Sequence, residues 1–396
     1  MTKLEQLITE YCPNGVPYKS LGELGSFYGG LSGKSKDDFT DGNAKFITYM
    51  NVYSNPALNL DVTETVKIVE NEKQNTIQYG DVLFTGSSET PDECGVSSVL
   101  TQHTDEKLYL NSFCMGYRFD DINLFSPDFL KHLFRSEALR IQIGKTASGV
   151  TRFNVSKDKM KKVSIPIPPI PVQAEIVRIL DNFSELTAEL TAELTARKKQ
   201  YEHYMDRLLS FNDTVERKKL GDTCFMKSGK AISSTLISSS NYDNKKVACY
   251  GGNGIRGFVD NASHHGEFPI IGRQGALCGN VNYATGDFYA TEHAVVVKSK
   301  GAYIQRFLYY LLISMNLNQY KSQGAQPGLA VGNIENLNAP VPSIDEQNRI
   351  VALLDRFHAM CNDISEGLPA EIEARQKQYK CYRDKLLTFK ELNNDV

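Results

Sequence analysis

Three clusters in this chain imitate catalytic motifs. Gly252, Gly254 and Gly257 in YGGNGIRGFVD have the GxGxxG spacing of a dinucleotide-binding turn. That turn needs a helix starting at the glycines, with its N-terminus aimed at the pyrophosphate. The FVDNASHHGEFP that follows cannot supply it, so a flexible, basic loop is expected. Pro91-Asp92 and the later Asp105-Glu106-Lys107 have the residue types of a metal-dependent nuclease. Those carboxylates would have to project together from strands to hold magnesium. Here they fall in TPDECG and QHTDEK, which read as turns. A base methyltransferase would need a cofactor loop with an NPPY-type or Pro-Cys motif. Neither occurs, and IPPIP (167–171) lacks a polar residue to hold the target base. The eight cysteines are scattered without CxxC or zinc spacing, so they are expected as reduced packing residues. His264 and His265, in NASHHG, are expected in a solvated loop.

The remaining polar segments suit nucleic acid. One half of the chain offers GGLSGKS (29–35), TYMNVYSN (48–55), FTGSSE (84–89) and KTASGVTRFNVSKDKMKK (145–162). The other offers MKSGK (226–230), CYGGNGIRG (249–257), IGRQG (271–275), TEH (291–293) and SQGAQPG (322–328). Glycines let backbone approach phosphates, Lys, Ser and Thr can bind phosphate oxygens, and Arg, Asn and Gln can read base edges. The candidates are Lys34, Ser35, Asn51, Thr85, Ser87, Arg152, Asn154 and Lys157, then Lys227, Lys230, Asn253, Arg256, Arg273, Gln274 and Gln326. Residues 126–165 add a basic patch of nine Lys/Arg against three Asp/Glu. The whole chain carries −3, which argues against a sequence-blind DNA coat.

The elements that must position these loops occur twice. VSIPIPPIPVQAEIVRILDNF (163–183) returns as LNAPVPSIDEQNRIVALLDRF (337–357), with Pro166, Gln173, Asp181 and Phe183 recurring 174 positions on as Pro340, Gln347, Asp355 and Phe357. ARKKQYEHYMDRLLSF (196–211) returns 178 positions on as ARQKQYKCYRDKLLTF (374–389). VPYKSLGELG (16–25) resembles VERKKLGDTC (215–224), 199 positions on. Each half therefore reads as entry segment, variable region, proline-rich turn and long helix.

In the helical copies, apolar residues recur at steps of three and four: Ile176, Leu180, Phe183, Leu186, Leu190 and Leu194 in the first, Ile350, Leu354, Phe357, Cys361 and Ile364 in the second. Two matched stripes predict a coiled coil, with the first helix about 58 Å long. Gly367 and Pro369 are expected to interrupt the second helix. The first contains three Glu-Leu-Thr-Ala tetrads at 185–196, a candidate length-setting spacer. The variable regions, 26–162 and 225–336, hold strand-like runs such as AKFITYM, GDVLFTG, LYLNSFCMGYRF, FPIIGR and ATEHAVVVK. Helical stretches, FLKHLFRSEALRIQI and YIQRFLYYLLISM, follow them.

On these duplicated segments, the tandem tetrads and the YGGNGIRGFVD…IIGRQGALCGNV pattern, the whole chain resembles the specificity subunits of type I restriction–modification systems. It departs at Val172-Gln173, where the family usually has Glu-Gln, as at Glu346-Gln347. The resemblance implies an α+β fold: two mixed α/β target-recognition domains in pseudo-twofold repeat, separated by two long antiparallel coiled-coil helices. The expected divisions are 1–165 and 215–339 for the two reading domains, with 166–214 and 340–396 as spacer helices. It further implies a non-catalytic subunit that binds a bipartite, asymmetric site in double-stranded DNA. The subunit would dock two methyltransferase subunits and the motor-nuclease restriction subunits. S-adenosylmethionine, ATP and magnesium would be bound on those partners, and this chain would hold no cofactor. Without a membrane-length apolar run or a signal-like start, a cytoplasmic location is expected. The rivals are an autonomous methyltransferase or nuclease with degenerate motifs, and a structural coiled-coil adaptor.

Overall fold

The computed structural model describes residues 2–241, 246–323, 327–362 and 367–392. It divides into two compact units, one of residues 1–189 with 372–396 and the other of residues 190–371. The divisions fall inside the helical repeats, so each unit takes one part of the first helical copy and one part of the second.

Each unit repeats the same frame. In the first, the entry strand Tyr18–Ser20 pairs antiparallel with Ser164–Pro166, Tyr18 opposite Pro166. In the second, Arg217–Lys219 pairs with Asn338–Pro340, Arg217 opposite Pro340. Those partners stand at the 199- and 174-residue offsets of the sequence repeat. The repeated glutamines explain themselves here. Gln173, fully buried, accepts from the Ser126 N–H and donates to the Leu124 and Pro168 carbonyls. Gln347 accepts from the Ile304 N–H and donates to the Ala302 and Pro342 carbonyls. Each satisfies orphan backbone groups where a core helix begins, Pro127–Leu133 in one unit and Gln305–Ser314 in the other.

The sheets also match. The first unit has an antiparallel sheet in the spatial order Gly25–Gly29, Cys114–Phe119, Val82–Thr85, Ser97–Val99. The second has Cys224–Ser228, Ala294–Ser299, Phe268–Gly272, Val281–Ala284. A second four-stranded sheet in each contains one parallel pair, Ala44–Ile47 with Leu108–Leu110 and Val247–Gly251 with Asp287–Ala290. Phe84, Tyr117, Phe129 and Phe134 fill one core, and Phe307, Tyr310, Leu312 and Val297 fill the other.

Several sequence expectations are corrected. AKFITYM is strand only over Ala44–Ile47: Thr48 then caps a helix, Tyr49–Ser54, by accepting from the Asn51 N–H. LYLNSFCMGYRF is two strands with a turn at Asn111–Phe113. FLKHLFRSEALRIQI is two helices, Pro127–Leu133 and Glu137–Gly144. His264 and His265 lie on a strand with partners: His264 stacks on Phe288 at 5.2 Å, and His265 Nδ1 lies 2.6 Å from Asp287. The loop at Gly252–Gly257 is a paired hairpin between Val247–Gly251 and Gly254–Val259.

The first helical copy is one helix, Ile170–Leu209. Its apolar stripe is buried only toward its two ends, at Val172, Ile176, Leu180 and Leu209, and Leu186 is 46% exposed. The second copy is two helices, Ile344–Asn362 and Leu368–Leu386, with Pro369 in the first turn of the latter. The four extra residues of that copy lie between Phe357 and Ala374, the stretch containing this break. Ile364 lies outside the described residues. Among the described residues no helix is long and apolar enough to cross a membrane.

Candidate nucleic-acid interface

In the first unit, four segments converge around Ser87. The hairpin Ala147–Gly149/Phe153–Val155 adds the short strand Ser87–Ser88 as a third member, Asn154 opposite Ser87. In the hairpin turn Arg152 reaches back, donating from Nε and Nη2 to Ser87 Oγ at 3.2 and 2.9 Å. Its guanidinium lies 5.6 Å from the centre of the Phe113 ring. Tyr49 donates to the Ser87 carbonyl at 2.8 Å, and Tyr53 donates to Glu93 at 3.0 Å. Between these groups is an open cleft of about 550 Å³, lined by Tyr49, Met50, Tyr53, Glu89, Phe113 and Arg152 among others. Hydrogen bonds from Thr90, then Tyr53 and Ser88, hold the Glu93 carboxyl below its usual range, so it stays anionic. A cleft with fixed anions repels phosphate but can take the amino edge of a base.

The remaining first-unit candidates divide. Asn154, on the hairpin strand Phe153–Val155, and Lys157 just after it are exposed. Lys34, Ser35, Asn51 and Thr85 are committed to the fold. Lys34 is 6% exposed and donates to Glu72 and to the Lys67 carbonyl, at 2.6 and 2.7 Å. Ser35 caps a short 3-10 helix through Asp38. Asn51 bonds Asn59 and Asn55. Thr85 is fully buried, its hydroxyl accepting from the Val96 N–H. The basic patch thins for the same reason. Arg135 and Arg140 spend their guanidinium groups on backbone carbonyls, of Ser97, Val52 and Tyr53 and of Gly95, Asp92 and Cys94. Burial pushes both down, Arg135 to about 10. Lys145, Arg152, Lys157, Lys159 and Lys162 remain at the surface.

The second unit builds an analogous cluster. Arg273 donates from Nη1 to Ser228 Oγ at 3.0 Å, and its backbone bonds the His293 carbonyl and the Leu329 N–H. Gly272 is needed where it is, because a Cβ there would lie 1.8 Å from the Gly252 carbonyl oxygen. That approach brings the 251–256 hairpin turn against 272–275 and 291–293. Asn253 is exposed and accepts from Asn280, while Arg256 and Gln274 are exposed. Lys227 and Lys230 are exposed on the adjoining strand end, beside Ser228. Gln326 lies outside the described residues.

Phe113, Tyr49, Tyr53 and Val150 were not singled out from the sequence. The available signal was the Asn111-Ser112 turn, which ends one strand and leaves Phe113 outward, 57% exposed. Asp92, in the 3-10 helix Pro91–Glu93, and Asp105 are not among the residues lining the cleft. No group of three or more His, Cys, Asp or Glu side chains is placed to hold a metal ion among the described residues. All eight cysteines are free thiols, and Cys381 is the exposed one.

The fold and its duplicated frame place the chain in a class, and comparison with known proteins shows its family. The model of the type I restriction modification DNA specificity domain matches residues 13–197 and again 212–374, so the chain belongs to that family. It is 51% identical over 227 residues to the Escherichia coli type I restriction enzyme EcoprrI specificity subunit, covering 54% of this chain and 57% of that one. The EcoR124I/EcoR124II specificity subunit of the same species is 34% identical over 265 residues, 59% of this chain and 65% of that one. Those matched stretches span less than two thirds of either relative's length. In fold, the chain resembles the S subunit of a type I system from M. genitalium, with a TM-score of 0.55 and 17% identity over 94% of this chain and 96% of that one. A second likeness, at TM-score 0.61 and 17% identity, covers 97% of this chain and 99% of a chain solved in work on type I R-M complex assembly and conformational transition.

Proposed function

We propose that each variable domain of this subunit reads one half of a bipartite, asymmetric site in double-stranded DNA. The repeated helices set the unread gap between the halves. They also dock two methyltransferase subunits, and the chain scaffolds the motor-nuclease restriction subunits. The chain itself is non-catalytic; S-adenosylmethionine, ATP and magnesium belong to the partners. The carrying observation is that a repeated frame holds two domains whose exposed clusters differ. Arg152 with Phe113 marks one, and Arg273 with the Gly252–Gly254 turn marks the other. A constant frame serves the same partners twice, while unlike surfaces read unlike sequences.

The test exchanges residues 225–336 for the equivalent region of another specificity subunit and compares methylomes. One half of the methylated site should change and the other should remain. Simultaneous change of both halves would overturn independent reading. S-adenosylmethionine binding by the purified chain alone would instead favour an autonomous methyltransferase.

A further inference from the structure

We infer that Arg152 reads a guanine in the first half-site, presented end-on by Ser87 and Phe113. This deepens the proposed function and rests on it, by assigning one side chain to one base.

Arg152 stands in a hairpin turn that admits little movement. A Cβ on Gly149 would lie 2.0 Å from the Arg152 carbonyl oxygen, so the turn closes only with glycine there. Ser87 is 7% exposed and fixed between the hairpin strand and Tyr49, so its Oγ is a rigid acceptor. Nε and Nη2 both point at that oxygen. This uses the Nε edge of the guanidinium and leaves its Nη1/Nη2 end, where one N–H on each nitrogen runs parallel to the other. The face of the group is covered by Phe113. A fork held along one edge and one face loses little rotamer freedom when it binds.

The partner follows from what those N–H groups require. Guanine offers two adjacent acceptors, O6 and N7, in the major groove, whereas adenine and cytosine each place an amino donor there. Phosphate would also accept, but Glu93, whose carboxyl is held below its usual range, lines the same cleft and disfavours it. Arg152 itself has no carboxylate partner among the described residues, so its charge is not already neutralised. Phe113, 57% exposed, supplies apolar surface against the guanidinium that shields the contact from water.

The experiment uses the full chain co-expressed with a type I methyltransferase subunit, reading the methylome and the affinity for the parent site at several salt concentrations. Arg152→Ala should leave one G·C position of the first half-site degenerate, with the rest of the site unchanged. Affinity should fall about 5- to 150-fold with the salt slope preserved. Ser87→Ala should loosen the same position more weakly. Arg152→Gln should shift it toward adenine, the base glutamine pairs with, and decides the matter if the alanine variant does not fold. An unchanged motif overturns the assignment. So does a uniform loss across sequences with a smaller salt slope, which marks a phosphate contact. Failure of the parent chain to direct methylation to any bipartite site would instead overturn the proposed function.

Discussion

Phe183 and Tyr382 stack with ring centres 5.1 Å apart and planes 22° from parallel. In the other unit Phe357 and Tyr204 stack at 5.2 Å and 25°. These are the same two repeat positions with the copies exchanged, so in each unit the head of one copy meets the tail of the other. Stacked rings add about 0.5–1.5 kcal/mol beyond area burial. A double-mutant cycle of Phe183→Ala and Tyr382→Ala, followed by urea denaturation, should show coupling of that order. Additive effects would mean that the rings are only neighbours.

The same seam carries a pH dependence. His132 is buried, with Nε2 2.7 Å from Asp181 and Nδ1 2.9 Å from the Tyr379 hydroxyl. A neutral ring satisfies both, donating from Nε2 to the carboxylate and accepting the tyrosine proton. Burial lowers the histidine's pKa, and the pull of Asp181 only partly offsets it; Lys131 and Asp128 also face the group. A folded pKa below the unfolded value near ~6.5 means the unfolded chain gains the proton first. Stability is therefore present above ~6.5 and declines as pH falls below it. Asp181 stays below its usual range because the hydrogen bonds from His132 and Lys131 outweigh its burial, so its contribution is lost at lower pH still. Chemical denaturation between about pH 5 and 8 should show a steeper slope in the parent than in His132→Gln, which keeps only the share of His264 and His358, also lowered by burial.

Lys34 and Lys157 looked alike as sequence but should separate in a salt titration. Lys157→Ala should weaken DNA binding evenly across sequences and reduce the salt slope by about one. Lys34→Ala, which strips Glu72 of its cation and leaves it only Gln74 and the Val69 N–H, should lower the thermal midpoint and leave the salt slope alone. Equal slopes for both variants would remove Lys157 from the interface.

The tetrads at 185–196 lie within the unbroken helix Ile170–Leu209. Inserting another Glu-Leu-Thr-Ala after Ala196 adds about 6 Å of rise and about 40° beyond a full turn. With a base-pair step near ~3.4 Å, the unread gap should lengthen by about one or two base pairs while both half-sites stay the same. Methylomes of parent and variant make the comparison. A fully active variant with an unchanged gap would assign the spacing to another element.

The chain's repeats, read alone, already determined its frame. Offsets of 199 and 174 became the strand pairs Tyr18–Pro166 and Arg217–Pro340, because both partners lie in copied segments. Periodicity found the long helix, since a stripe at three- and four-residue steps is a local signal. The tertiary structure alone decided which polar residues face outward. Thr85, Lys34 and Asn51 have the composition of a binding loop, but buried donors and acceptors must be paired, and their partners, Val96, Glu72 and Asn59, are set by the fold. Arg135 and Arg140 were absorbed in the same way by carbonyls distant in sequence. Phe113 reached the surface because a turn, not a strand, carries it. Side-chain direction at a turn depends on contacts between segments far apart in the chain, and no local pattern records them.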